Sequence, residues 1–266
     1  MYDIKQLFNV QKPIIGMSHF GALPGDPKFD PDKGLDQVAD DMLKDICALQ
    51  RGGVDGIMFS NEHSQPWMLN NYSVTLNSMA YVIGSVRKQI KLPFGVHVIW
   101  DARLTMDLAV ATRADFAWEV FAGAYASDYG VWNNVPGEYM RHNREIYGKK
   151  TRIFCEIIPE AAKNMGKRTL QSTLKTALLN VPADAICIAG LQPGVPPSTD
   201  LLSEIKSIAG SMSVIVSTGV KLNNVKEYLN IVDGAIVGSC LKKDGYLFNQ
   251  VDEDRVKEFM ACARNV

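Results

Sequence analysis

Two rhythms of apolar residues alternate along this chain. Short, nearly continuous apolar runs rich in Val and Ile are each followed by a longer segment whose apolar positions fall three and four apart. The runs predict eight strands, at residues 13–19, 56–61, 94–99, 116–121, 152–158, 185–190, 213–218 and 234–239. The intervals predict helices, the first over 32–51 with Leu35, Val38, Ala39, Met42, Ile46 and Leu49 on one stripe. Seven similar stretches follow at 73–90, 102–112, 136–147, 168–180, 198–209, 223–230 and 252–264.

Strict strand–helix alternation implies parallel strands, and strands apolar on both faces imply a sheet covered on both sides. An open doubly wound sheet would carry a glycine fingerprint after its first strand. Here that strand runs into GALPGDPKFDP, which has no G-x-G-x-x-G. Eight units in 266 residues match a closed α/β architecture, a single (β/α)₈ TIM barrel spanning 1–266 with outer helices. Asp55, Asp115, Asp184 and Asp233 each stand immediately before an even-numbered strand, in VDGI, ADFA, ADAI and VDGA. They read as turn and cap groups on the stability face of a barrel, away from chemistry.

If the fold is a barrel, chemistry belongs at the C-terminal strand ends, which narrows the polar candidates to a few. His19 ends the first strand, Asn61 and Glu62 the second, and His97 and Asp101 lie in and after the third. Glu119 and Glu156 interrupt the fourth and fifth; an outward charge there would be pressed into the apolar layer, so both are expected to face the axis. Desolvation would raise their pKa, making them a general acid/base pair with His19 or His97 polarising a substrate oxygen. The alternative is a buried structural ion network. His63 and His142 fall in a loop and a helix and read as surface residues. With no HExxH, no Cys/His cluster and no EF-hand loop, neither a metal nor another cofactor is expected.

The later strands end in small residues: Gly190 after the sixth, Ser217 and Gly219 after the seventh, Gly238 and Ser239 after the eighth. Turns of this kind hold phosphate through backbone N–H groups and a short helix, although tight βα turns also favour small residues. No lysine lies within the strands, which argues against Schiff-base chemistry. The long segment 122–135, with Tyr125, Tyr129 and Trp132, is the candidate lid or, alternatively, a self-packed loop.

Charge and composition exclude more than they identify. With 28 Lys+Arg against 29 Asp+Glu the formal charge is −1, so neither nucleic-acid binding nor electrostatic membrane docking is expected. No apolar run approaches a membrane span, and MYDIKQLFNV lacks the order of an export signal. An odd set of five dispersed cysteines fits free thiols in the cytoplasm. The expected partners are a phosphorylated small molecule and other copies of the chain in a homo-oligomer.

The segments IIGMSHFGALPGDP, GVDGIMFSNEHSQPW, GVHVIWD, VSTGVKLNNVKEYL and DGAIVGSCLKKDG together resemble the BtpA/SgcQ family over nearly the whole chain. The resemblance implies a (β/α)₈ barrel. One branch of the family is associated with photosystem I biogenesis, the other accompanies sugar-transport genes, and some members are labelled nucleoside triphosphatases. FSNEHSQPW and VFAGAYASDYG place this chain nearer the sugar-associated branch, whereas Phe116-Ala117-Trp118 lacks the arginine of a Phe-x-Arg motif found in relatives. The expected function is acid/base chemistry, of isomerase, epimerase or aldolase type, on a phosphorylated sugar or related metabolite. The alternatives are a non-enzymatic assembly factor docking through Trp67, Met68, Tyr129 and Trp132, and nucleotide hydrolysis. For the last there is no GxxxxGK[ST] loop.

Overall fold

A computed structural model describes residues 4–146, 148–190 and 194–265. Eight parallel strands close into a barrel: β1 (Ile14–His19), β2 (Gly56–Ser60), β3 (Phe94–His97), β4 (Phe116–Glu119), β7 (Arg152–Ile158), β9 (Ala185–Ile188), β10 (Ser213–Val216) and β11 (Gly234–Val237). They follow one another in chain order around the ring, and β11 returns to pair with β1. All eight expected strands form this barrel. The outer helices are α2 (Gly34–Gly52), α3 (Ser73–Val86), α4 (Ala102–Thr112), α5 (Pro136–Glu145), α6 (Leu170–Asn180), α7 (Thr199–Ala209), α8 (Val225–Ile231) and α9 (Glu253–Ala263). The helix expected over 136–147 ends at Glu145, with Tyr147 outside the described residues.

Side-chain alternation divides the barrel into two apolar layers. Ile14, Ile57, Val96, Ala117, Ile186, Val214 and Ala235 point out against the helices, whereas Ile15, Met58, Phe116, Phe154, Ile215 and Ile236 fill the interior. A short helix the apolar rhythm did not reveal, α1 (Ile4–Phe8), stoppers the N-terminal end. Its Ile4 and Phe8 are buried in the interior cluster, and the Phe8 ring meets Phe116 edge-on at 5.7 Å.

The four regular aspartates form one repeated device on this lower face. Each receives a backbone N–H from the first or second residue of the preceding barrel strand: Ile14 N–H donates to Asp55 at 2.8 Å, Phe94 to Asp115 at 2.9 Å, Ile153 to Asp184 at 2.9 Å and Val214 to Asp233 at 2.8 Å. The backbone N–H of each aspartate donates back to the carbonyl of that same residue at 2.8–2.9 Å. The stability role is as expected, but each carboxylate clamps a neighbouring strand instead of capping its own turn.

The upper face departs from a plain barrel. The loops after β4 and β7 supply three more strands, β5 (Ala124–Ser127), β6 (Gly130–Asn133) and β8 (Ala162–Asn164), which form an antiparallel sheet in the order β6-β5-β8. The expected lid is thus a hairpin, with Tyr125 opposite Trp132 and both rings buried. The Tyr125 hydroxyl donates to the Ile157 carbonyl at 3.1 Å, fastening the hairpin to the barrel.

Removing one clamp tests its weight. Asp115→Ala leaves the buried Phe94 amide without its acceptor and is expected to lower unfolding stability by about 1–3 kcal/mol in urea titration. Asp115→Asn, which keeps an acceptor oxygen, should lose distinctly less.

Candidate active site at the mouth of the barrel

A cavity of about 290 Å³ opens at the C-terminal ends of the strands. Its floor is Met17 and Ile236, and its polar walls include His19, Glu62, Glu160, Ser217 and Thr218, with Trp118 beside them. Glu156 lies just beneath. The Nε1–H of Trp118 donates to its Oε2 at 3.0 Å, the Ala189 N–H donates to its Oε1 at 3.0 Å, and the Ser217 hydroxyl contacts Oε2 at 2.8 Å. Burial pushes the Glu156 carboxyl up to about 8 against the pull of these donors. Its proton then belongs on the Ser217 contact, because the hydroxyl is the one partner of the three able to accept.

Burial likewise raises Glu160 to about 7, opposed by the Thr218 hydroxyl that donates to its Oε1. Glu62 is also raised by burial, with His97 and Lys242 pulling the other way. His19 is pushed well below its usual value by burial and then by the nearby Lys242 charge, so its imidazole is neutral at physiological pH. The mouth therefore combines carboxyl groups that hold protons near neutrality with a neutral ring that can donate or accept.

His97 and Glu119 form a separate cluster. Their Nε2 and Oε2 atoms approach to 3.0 Å without the alignment of a hydrogen bond, and the His97 ring lies between Trp118 at 4.6 Å and Trp100 at 5.3 Å. Glu119 is raised by burial, its charged form supported chiefly by His97. It follows the inward-pointing Trp118 and so shares the face of Ala117, opening onto a different cavity of about 490 Å³. This corrects the expectation that Glu119 and Glu156 face the axis as a pair. At the strand end the outer face is covered by a polar cavity beneath the hairpin, so an outward carboxylate there avoids the apolar layer.

The other expected residues divide between bracing and lining. Asn61 accepts the Ile99 N–H at 2.8 Å, and Asp101 caps α4 through the Leu104 N–H at 3.0 Å while accepting the Asn71 N–H at 3.0 Å. Ser217, Gly219, Gly238 and Ser239 line the mouth cavity, but Gly190 does not. A Cβ on Gly190 would lie 1.7 Å from the Val195 carbonyl oxygen, so that glycine is required by backbone packing. Gly219, at φ 72°, would meet Pro196 in the same way, whereas Gly238 meets nothing closer than 3.6 Å and its smallness serves the cavity. The short helix after β11 is a single 3₁₀ turn, Ser239–Leu241, and among the described lining residues Lys221 is the cation.

His63 is half-buried rather than a surface group: it packs on Phe248 at 4.8 Å, and burial lowers it to about 4. Of the aromatic set considered for docking, Trp132 is buried against Trp100 at 4.9 Å, while Trp67, Met68 and Tyr129 stay half-buried, Trp67 meeting Tyr129 at 5.6 Å. Lys242 is buried but engaged, donating to the Asn249 carbonyl at 2.9 Å with Asp45 at 3.6 Å. Burial raises the Cys155 thiol to about 12 and Cys187 well above its ordinary range, consistent with inert apolar roles. Among the described residues no three His, Cys, Asp or Glu side chains are grouped to hold a metal, and no helix is long and apolar enough to cross a membrane.

The sequence reading placed Glu62 at the end of the second strand without giving it a role, and missed Glu160. The available signal was position: Glu62 and Glu160 each lie two residues beyond the last residue of their strand, where a side chain reaches over the rim.

Fold and site together define a (β/α)₈ barrel with an acidic cavity at the C-terminal ends of its strands. Over residues 10–265 the sequence matches the BtpA family, and the chain belongs to that family. It is 42% identical over 263 residues to the sgc region protein SgcQ of Escherichia coli (strain K12), covering 99% of this chain and 98% of that one. It is 25% identical over 261 residues to the photosystem I biogenesis protein BtpA of Synechocystis sp. (strain ATCC 27184 / PCC 6803 / Kazusa), covering 97% and 90%. Among solved structures, N-(5'-phosphoribosyl)anthranilate isomerase from Pyrococcus furiosus superposes with a TM-score of 0.57 at 14% identity, over 96% of this chain and 100% of that one. A KDPGal aldolase superposes at 0.56 and 15% identity, over 96% of each. At these identities the structural likenesses establish the barrel fold.

Two substitutions probe the mouth. Glu156→Gln offers one acceptor where the Trp118 and Ala189 N–H groups each require one, so a loss of about 1–3 kcal/mol is expected in denaturant unfolding. Glu160→Gln keeps an acceptor for Thr218 but cannot ionise. The folded Glu160 carboxyl titrates near 7 and its ordinary value is 4.5. In that window the folded state holds the extra proton, so wild-type stability falls as pH rises from about 4.5 to 7 and levels off above it. The difference in stability between pH 5 and pH 8 should shrink in the variant.

Proposed function

We propose that this protein is an enzyme that moves protons on a phosphorylated sugar or closely related metabolite, by isomerase- or aldolase-like acid/base chemistry. The observation that carries this reading is the convergence of Glu62, Glu160 and a neutral His19 on one cavity at the C-terminal ends of the strands, above the buried Glu156–Ser217 contact. A carboxyl group titrating near neutrality can both give and take a proton at working pH, the requirement for shuttling hydrogen between adjacent carbons. Glu160 is the proposed acid/base, with His19 polarising the substrate oxygen. Glu156 and Ser217 position the wall beside them.

The volume lies near the lower end of the range for small-molecule sites, about 300–1,000 Å³. For the phosphate, support comes from Ser217, Gly219, Gly238 and Ser239, which bring the turns after β10 and β11 onto the same cavity, with Lys221 at its edge. Two proteins of like fold point the same way, since the N-(5'-phosphoribosyl)anthranilate isomerase and a thiamine phosphate pyrophosphorylase from Pyrococcus furiosus are both named for phosphate compounds.

Solvent exchange tests the proposal across a panel of sugars at once. Aldose and ketose phosphates are incubated with the enzyme in D₂O, and loss of carbon-bound protium is followed by NMR. At least one sugar phosphate should exchange and should raise the melting temperature more than its unphosphorylated parent. Glu160→Gln should slow exchange by about 10²–10⁴-fold. A panel in which no sugar phosphate either exchanges or stabilises would overturn the proposal.

A further inference from the structure

The larger cavity, about 490 Å³, shares no lining residue with the mouth and plays no part in the chemistry above. It lies between the hairpin, the start of α4 and the segment around Asn71. Its polar groups are incompletely partnered. Among the described residues, Trp100 Nε1, Trp132 Nε1 and Asn134 Nδ2 are buried without a hydrogen-bond partner, and Glu119 Oε2 has only the misaligned His97 Nε2 at 3.0 Å. All four side chains line this one cavity. Trp132 is 3% exposed and Glu119 1%, so these are built-in groups and not surface groups that water satisfies at no cost.

The arrangement has a definite chemical preference. Two indole N–H groups and a carboxamide are neutral donors, and they ask for oxygen acceptors without calling for a full negative charge. Glu119 supplies an acceptor when ionised and a donor when protonated, and burial raises its pKa toward the second form. Hydroxyl groups can meet both demands. The walls include the Trp100 and Trp132 rings, packed against each other at 4.9 Å, and Tyr139, and such flat apolar faces suit the C–H face of a pyranose or furanose.

We propose that this cavity is a second ligand site, one that binds the neutral, hydroxyl-bearing ring of a sugar. It is independent of the catalytic reading, because none of its groups belongs to the mouth. The donor set favours an uncharged ring over a phosphate: Arg103 stands at the cavity, but Asp101 and Glu119 stand there with it.

The experiment uses the full chain labelled with ¹⁵N-tryptophan and titrated with free glucose, galactose and ribose. The indole N–H resonances of Trp100 and Trp132 should shift on addition of at least one sugar, while Trp67, which already donates to the Glu62 carbonyl at 3.1 Å, should not. Trp132→Phe and Asn134→Ala should each weaken binding by about tenfold, the loss of one good hydrogen bond. If Trp132→Phe fails to fold, Asn134→Ala at a half-buried position makes the same test. Glu160→Gln should leave the titration unchanged. No shift of either indole with any of the three sugars would overturn the proposal. So would Trp100 shifts that survive Asn134→Ala but vanish in Glu160→Gln, since the sugar would then occupy the mouth. Failure of sugar-phosphate turnover has no bearing on either outcome.

Discussion

The clamp between an aspartate and an amide at the start of the preceding strand is the constraint on which the rest of this barrel depends. A closed parallel sheet has a strand-to-strand register, and a slip by one residue exchanges its inner and outer side chains. Here the register is held at the lower rim, where Asp55, Asp115, Asp184 and Asp233 each join an odd strand to the even strand that follows. Fixing that end fixes which side chains arrive inward at the other. Glu156 reaches the mouth and Glu119 the neighbouring cavity because their strands enter the sheet in that register.

Much of this was legible in the chain. The eight apolar runs, the segments between them and the missing nucleotide fingerprint sufficed for the barrel, because periodicity is a local property. The four aspartates stood out through repetition, although their partners lie up to 41 residues away and could not be read. The site was legible only as a list of strand ends. His19, Ser217 and Gly238 reach the cavity as position suggested. Glu119 did not pair with Glu156 because the alternation of its strand turns it outward, into the polar chamber beneath the hairpin that begins at Ala124. That hairpin was itself readable in retrospect, since Tyr125 and Trp132 alternate with small or polar residues about the turn at Asp128-Tyr129. Glycine proved ambiguous for a physical reason: Gly190 and Gly238 look alike in sequence, yet one yields to a neighbouring backbone and the other to open space.

The His97 and Trp118 rings stand where the two cavities come nearest to one another. Trp118 lines the mouth and donates to Glu156, while His97 contacts Trp118 on one side and Glu119 on the other. Burial dominates the electrostatics of the mouth and the neighbouring chamber, raising the Glu62, Glu119, Glu156 and Glu160 carboxyl groups and lowering the His19 and His63 imidazoles. More exposed ion pairs lie on the helices, as at Arg51–Glu253.

The stopper helix α1 also has a bearing on biosynthesis. Ile4 and Phe8 emerge from the ribosome before any strand, yet the interior they complete includes Ile215 and Ile236 from the last two strands. Their apolar faces therefore have no finished seat until almost the whole chain has been made. A nascent chain stalled halfway would present both an unclosed sheet edge and an uncovered helix, which makes the moment of ring closure, late in synthesis, the point at which this protein becomes safe from aggregation.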